Sequence, residues 1–352
     1  MVHLQKSLKI LSKCTREIIK KLPYLDRNFK IFIGFDGDSD GFSSFVITYR
    51  LLKELGYKKI RFKVFNHEVK SIRKNFDVYV FLDIPTIPSE LLTDFKEVII
   101  IDHHPPNHKF KKFNYCNPRL VEENAYIPTS CIAYYIYKKL LESSDIVWVA
   151  GIGIIGDKGF KNCKWVFREI RKMYPELLGN CFEESCIFDT ELGKLAKIVN
   201  SLRLVNSKLY EKFGKYFARL DTYKRLLEGK DKESKFLLQI YRKTEREIEK
   251  WLKIFETRKI ETRNLVYLEV NSKFNIRSTL ATILSEKIKT KVVAVGQREG
   301  KWFKVSFRNK NALKVLHYFL RNIPDSSGGG HPVACSMKFP AKYKKIFISK
   351  LK

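Results

Sequence analysis

The chain has 352 residues, long for one domain and comfortable for two. Its 44% hydrophobic content is ordinary for a globular protein, and no apolar run reaches membrane-span length, so the sequence predicts no membrane partner. Lys and Arg number 68 against 38 acids, a formal charge of +30 that attracts polyanions. Adaptation to heat would raise Glu alongside Lys; the one-sided excess points instead to nucleic acid. Residues 1–21 lack the continuous apolar core and cleavage site of a signal peptide, so a cytoplasmic location is expected. The seven cysteines are scattered and form no CxxC pair. Neither a disulfide framework nor a zinc site is expected, and Cys181 and Cys186 read as free thiols.

In chain order, residues 2–22 carry Leu8, Leu11, Ile18 and Ile19 at helical spacing. A buried strand is predicted over 30–35, then a helix over 42–55 closed by Gly56. Strands follow at 60–65, 78–82 and 98–101, and a helix opens at Pro128 and Ser130. Residues 147–155 are apolar throughout, and periodicity leaves helix and strand both open. Strands alternating with helices predict a parallel sheet covered on both faces, with its site at the carboxyl ends of the strands. Residues 189–259 read as helical and polar, with a long amphipathic helix at 232–258 that bridges two domains. A second αβ unit follows. It comprises a strand at 264–270, a helix at 276–289 and strands at 291–295 and 302–307 joined by a turn over 296–300. A helix at 312–320 comes next, then the glycine-rich stretch 326–331, read as a loop whose amides cradle an anion.

Acids recur at the ends of the apolar runs. Asp36, Asp38 and Asp40 alternate, and an extended backbone puts such residues on one side, about 7 Å apart per step. Asp83 follows the run 78–82, Asp102, His103 and His104 follow 98–101, and Asp157 follows 153–156. One such Asp is a turn former. Four apolar segments, each delivering an acid past its last residue, point to a shared polynuclear metal site. Ser43 and Ser44 read as residues of a helix N-terminus rather than nucleophiles. His67 and His108 lie near strand ends and could contact substrate, although solvated loop positions are the favoured reading.

Asp38-Ser39-Asp40-Gly41, Asp83, Asp102-His103-His104, Asp157 and Gly328-Gly329-Gly330-His331 occur in one order over about residues 30–340. This set resembles the DHH phosphoesterase superfamily with a C-terminal DHHA1 domain. Asn117-Pro118, residues 127–130 and the Pro105-Pro106 pair after the histidines resemble RecJ-type single-strand exonucleases. The resemblance implies an α/β fold. An N-terminal parallel-sheet DHH catalytic domain with flanking helices (1–200) would lead through a helical connector (201–260) to a smaller α/β DHHA1 substrate-binding domain (261–352). It implies a phosphodiesterase with two Mn²⁺ ions, or Mg²⁺ in their place, degrading single-stranded DNA or RNA. One ion would be bound by Asp36, Asp38 and Asp83, the other by Asp40, Asp83, His103 and Asp157. His104 would contact the phosphate and Asp102 would orient a ligand. Arg308, Gly328, Gly329, Gly330 and His331 would hold a substrate phosphate. Replication or repair proteins are the implied partners.

Two other readings accompany this one. The first is a small-substrate enzyme: an oligoribonuclease, a cyclic-dinucleotide phosphodiesterase or a nucleotide 3′,5′-bisphosphate phosphatase. The charge of +30 argues against it, since small substrates do not demand it. The second is a non-catalytic replication-associated binding module, against which the well-kept ligand set argues.

Overall fold

The runs at 31–35, 78–82 and 98–101 show no polar alternation, the pattern of strands covered on both faces. In the structure, a computed structural model describing residues 2–351, they form the centre of a five-stranded sheet. Its strands are β1 (Ile31–Asp36), β2 (Ile60–Phe65), β3 (Val78–Leu82), β4 (Val98–Ile101) and β5 (Asn114–Cys116), in the order β2-β1-β3-β4-β5. All pairings are parallel, with Ile31 opposite both Ile60 and Val78. Ile31, Ile33, Phe35, Val80, Leu82, Ile99 and Ile101 pack toward one face. That face is covered by α1 (Val2–Lys21), α2 (Ser39–Glu54), α4 (Thr129–Leu141) and α5 (Val147–Gly156). Phe32, Tyr79, Phe81, Val98 and Ile100 pack toward the other, against the short α3 (Ser89–Thr93) and its flanking loops. The helices α6 (Phe160–Met173), α7 (Glu191–Val205), α8 (Leu209–Arg219) and α9 (Lys224–Glu228) extend the first core. These elements belong to one compact unit, residues 1–241; a second comprises 242–352. The helix α10 (Lys232–Arg258) runs through the boundary in sequence.

The second unit holds a six-stranded sheet in the order β10-β11-β9-β8-β7-β6. Its strands are β6 (Ile260–Glu261), β7 (Leu265–Val270), β8 (Val292–Glu299), β9 (Trp302–Arg308), β10 (Ser327–His331) and β11 (Ala334–Pro340). Only β7 and β8 are parallel. Phe303, Val305, Phe307, Cys335, Met337 and Phe339 alternate into a core closed by Leu316 and Phe319 of α12 (Ala312–Asn322) and Phe347 of α13 (Lys344–Ser349). The helix α11 (Arg277–Lys287) contacts β8 and β9.

Four expectations change, and one open question closes in favour of a helix. The Asp36–Asp40 stretch is not extended: β1 ends at Asp36 and α2 begins at Ser39, because the Asp38 carboxylate caps the helix, accepting from the Asp40 and Gly41 amides at 3.0 Å each. Residues 147–156 are helix, so Asp157 follows a helix rather than a strand. Glycines 328–330 lie in strand β10, not in a loop. A Cβ at 328 or 330 would overlap the backbone of β11, so glycine is what permits this close pairing. Strands β8 and β9 run to Glu299 and from Trp302, leaving the turn at Gly300, which adopts φ +59°. Cys181 and Cys186 are joined in a disulfide, as are Cys14 and Cys116. The second pair, 102 residues apart, meets because α1 packs beside β5, a proximity that spacing does not reveal. Among the described residues no helix is long and apolar enough to cross a membrane.

Candidate metal centre

In a parallel sheet every strand delivers its C-terminal residue to the same rim. β1 delivers Asp36, β3 is followed by Asp83, and β4 by Asp102, His103 and His104. The N-terminus of α2 adds Asp38 and Asp40, and the C-terminus of α5 adds Asp157. Three sets of side chains bring one ligand atom each to within 4.8 Å of one another: Asp36, Asp38 and Asp83; Asp40, His103 and Asp157; Asp83, His103 and His104. Asp83 and His103 each belong to two sets, so the three sets form one connected cluster.

Each carboxylate is held by a named partner. The buried Asp36 accepts from the His67 amide at 2.5 Å, and His67 Nδ1 lies 3.2 Å from its other oxygen. Asp40 is fully buried against the N-terminus of α4. The Thr129 amide donates to Oδ2 at 2.7 Å, and the Ser130 amide and hydroxyl donate to Oδ1. Asp83 takes a left-handed conformation, φ +63°, donates its amide to Ile101 O and accepts from the Thr129 hydroxyl at 2.9 Å. Such a conformation strains an aspartate slightly and turns its carboxylate off the strand line. Asp102 Oδ1 lies 2.8 Å from His104 Nδ1. His103 Nε2 lies 3.3 Å from Asp83 and 3.1 Å from Asp157. The Tyr126 hydroxyl donates to Asp157 at 3.0 Å. Arg119 and Asn117 side chains donate to the backbone oxygens of His103 and His104, both at 2.9 Å, fixing the turn that carries the two histidines.

The electrostatics fit a cation. Burial, then the neighbouring Asp40 and Asp38, pushes Asp83 well above the usual carboxylate range. Burial, then Asp157, lifts Asp40 to about 7. Asp38 also rises through burial and through Asp36. Burial opposes the charge on His103, but its bonds to Asp157 and Asp83 outweigh this and lift it well above its ordinary value. Desolvation also opposes the charge on the half-buried Asp157, yet His103 brings it below the usual range. With protein groups alone, the cluster must therefore hold protons to persist. Buried oxygen donors with one imidazole are the donor set of a hard or borderline divalent ion, which replaces those protons.

The six metal-ligand candidates and Asp102 and His104 thus meet at one rim. Arg308, Gly328, Gly329, Gly330 and His331 lie in the second unit. Arg308 donates to the Ser278 and Thr282 hydroxyls of α11 at 2.6 and 3.1 Å. Ala334 pairs with Arg308 on one side and His331 on the other, so those two residues share one end and one face of the sheet. The sequence marks Thr129 and Ser130 only as part of a helix start and a motif, not as partners of the acids, and gives no role to Tyr126 or Arg119. The strand-end rule applies to His67 as well, for it stands two residues past β2. Thr129 and Ser130, polar residues opening an otherwise apolar helix, were the other available signal.

Residues 30–154 match the DHH family, N-terminal domain, and residues 263–352 match the DHHA1 domain. The chain belongs to the DHH superfamily with a C-terminal DHHA1 domain, and its fold is RecJ-like. RecJ from Thermus thermophilus in complex with Mn²⁺ is similar with a TM-score of 0.69 at 15% identity, over 99% of this chain and 54% of that one. This chain therefore spans about half the length of that RecJ. A manganese-bound exonuclease RecJ is similar at 0.63 and 17% identity, over 99% and 92% of the two chains. CDC45 from Entamoeba histolytica is similar at 0.59 and 13%, over 96% and 98%. Likeness at such identities is likeness of fold. No protein among the curated sequences compared matches the chain.

Proposed function

We infer that this protein is a two-metal phosphodiesterase that degrades single-stranded DNA or RNA from an end. The observation that carries this reading is the chain of three ligand sets at one strand-end rim, linked through Asp83 and His103. Asp36, Asp38 and Asp83 would hold one divalent ion, and Asp40, Asp83, His103 and Asp157 the other. Bound there, Mn²⁺ or Mg²⁺ would lower the pKa of a coordinated water and neutralise charge on the scissile phosphate. Thr129 and Ser130 keep Asp83 and Asp40 aimed inward. Asp102 holds His104 by Nδ1, which leaves Nε2 to donate to a phosphate oxygen. In the second unit, Ser278 and Thr282 fix the Arg308 fork, which suits bidentate phosphate recognition. Nothing crowds the Cβ direction of Gly329, so a phosphate can approach its backbone next to His331. The two RecJ neighbours, one described as an exonuclease bound to manganese, support the nuclease reading.

The test is cleavage of end-labelled 5-mer and 40-mer DNA and RNA with Mn²⁺. Stepwise shortening of both lengths is expected. Cleavage confined to the short strands would replace the exonuclease by a small-substrate enzyme, and no cleavage with metal bound would leave a binding module.

A further inference from the structure

We propose that the open sheet face around Trp302 is a second subsite, where a nucleobase of the single strand stacks at the opposite end of β9 from Arg308. The proposal rests on the nuclease reading for its substrate class and stands on a separate group of residues.

Strands β9 and β11 alternate strictly. Their inward residues, from Phe303 to Phe339, fill the core of the second unit. Their outward residues include Trp302, Lys304, Ser336 and Lys338. At the Arg308 end this outer face is covered by α11, through Arg277 to Ser306 and Ser278 to Arg308. At the Trp302 end it is open: Ser336 and Lys338 are exposed, and Trp302 and Lys304 are half-buried. The Trp302 ring has Lys338 Nζ 5.6 Å and Lys301 Nζ 5.8 Å from its centroid. Neither of these lysines has a carboxylate partner among the described residues, whereas Lys304 pairs with Glu299.

An indole on an open strand with two cations near it offers a stacking plane and phosphate contacts together, the combination that single-strand binders use. The occupant follows from charge. Residues 242–352 carry 26 Lys and Arg against 9 Asp and Glu, so an anionic polymer is favoured over a neutral or basic partner. Its length follows from geometry. Trp302 and Arg308 lie six residues apart on β9, about 20 Å at the strand rise. A mononucleotide held at Arg308 does not reach Trp302, whereas a strand of several nucleotides does. The subsite therefore favours oligonucleotides over mono- and dinucleotides.

The test uses the full-length chain. With Mn²⁺, Trp302→Leu and Lys338→Glu should each raise KM for a 12-mer by about tenfold, leaving kcat and the KM for a dinucleotide unchanged. Trp302→Phe should restore most of the loss. No change for the 12-mer, or an equal rise for both lengths, would overturn the subsite. In EDTA, where cleavage stops, a 12-mer of dA should quench the intrinsic fluorescence of the wild type and not of Trp302→Leu. An abasic 12-mer or a polyglutamate peptide that quenches as strongly would show a mere cationic patch and refute stacking. If the wild type cleaves no strand, the nuclease reading fails and the fluorescence arm still decides the subsite.

Discussion

Asp83, like His103, serves two ligand sets, and it does so from a left-handed backbone position. Its Oδ1 is aimed by the Thr129 hydroxyl, so Thr129→Val removes the aim and keeps the shape. Partners of metal ligands typically contribute 10–100-fold in affinity or activity. Thr129→Val should accordingly weaken Mn²⁺ binding by about 10–100-fold with an unchanged unfolding midpoint in EDTA, read by calorimetry and denaturant titration. Full-strength binding would show that Asp83 needs no help. Asp40 gives a pH signature. Its carboxyl rises from 3.8 to about 7 in the folded state, through burial and then Asp157. Between about pH 4 and 7 the folded state keeps a proton that the unfolded state has released. This contribution to the stability of the metal-free protein is therefore fully present below about 4 and is lost as pH rises through about 7. The raised His103 acts in the same direction. The lowered Asp157 contributes stability that is lost only in acid, below this window. Metal displaces the Asp40 proton, so the Tm gain on adding Mn²⁺ should grow from pH 6 to 8. A gain that shrinks over that interval would contradict the role of Asp40 as a ligand.

The elements show why parts of the site could be read in advance and others not. β1, β3 and β4 are unbroken apolar runs, and a strand buried on both faces is written in its own residues. The acids just beyond them were legible for that reason. α5 was not: Val147–Gly156 is equally apolar as helix or strand, and its neighbours decide. Gly153 makes the point. A Cβ there would overlap Ser130 Oγ and come within 2.9 Å of Asp40 Oδ1, so α5 approaches α4 only because the position is bare. Strand β10 is a similar case. Its glycines read locally as a loop, and only pairing with β11 makes them a strand. The Asp38 cap was hidden because the helix begins three residues before the expected Phe42. Gly153→Ala should then push Ser130 off Asp40 and cost about 1–3 kcal/mol, the range for an overpacked core. Urea unfolding in EDTA reads the stability, and Mn²⁺ titration should show a parallel loss of affinity. Unchanged values in both would mean that α4 and α5 separate freely.

For the whole molecule the unequal distribution of charge matters most. The residues of the second unit hold 26 basic against 9 acidic side chains, whereas the full chain holds 68 against 38, so well under half the chain carries more than half the excess. Coulomb attraction to a single strand acts through neutralised phosphates, each of which releases counterions. The slope of log K against log salt is about −0.7 per phosphate contacted on a single strand. A strand spanning from Arg308 to Trp302 meets Arg308, Lys338 and Lys301, so three contacts give a slope near −2 and further surface lysines steepen it. Lys338→Gln should make the slope shallower by about 0.7, whatever the base sequence, whereas Trp302→Leu should weaken binding at every salt concentration and leave the slope alone. Anisotropy of a dye-labelled 12-mer in EDTA between about 50 and 400 mM salt separates the two. The same slope for the wild type and Lys338→Gln would remove this lysine from the path of the strand. A slope near zero for the wild type would mean that the basic excess is not a nucleic-acid surface, and would favour the small-substrate reading of the same metal centre.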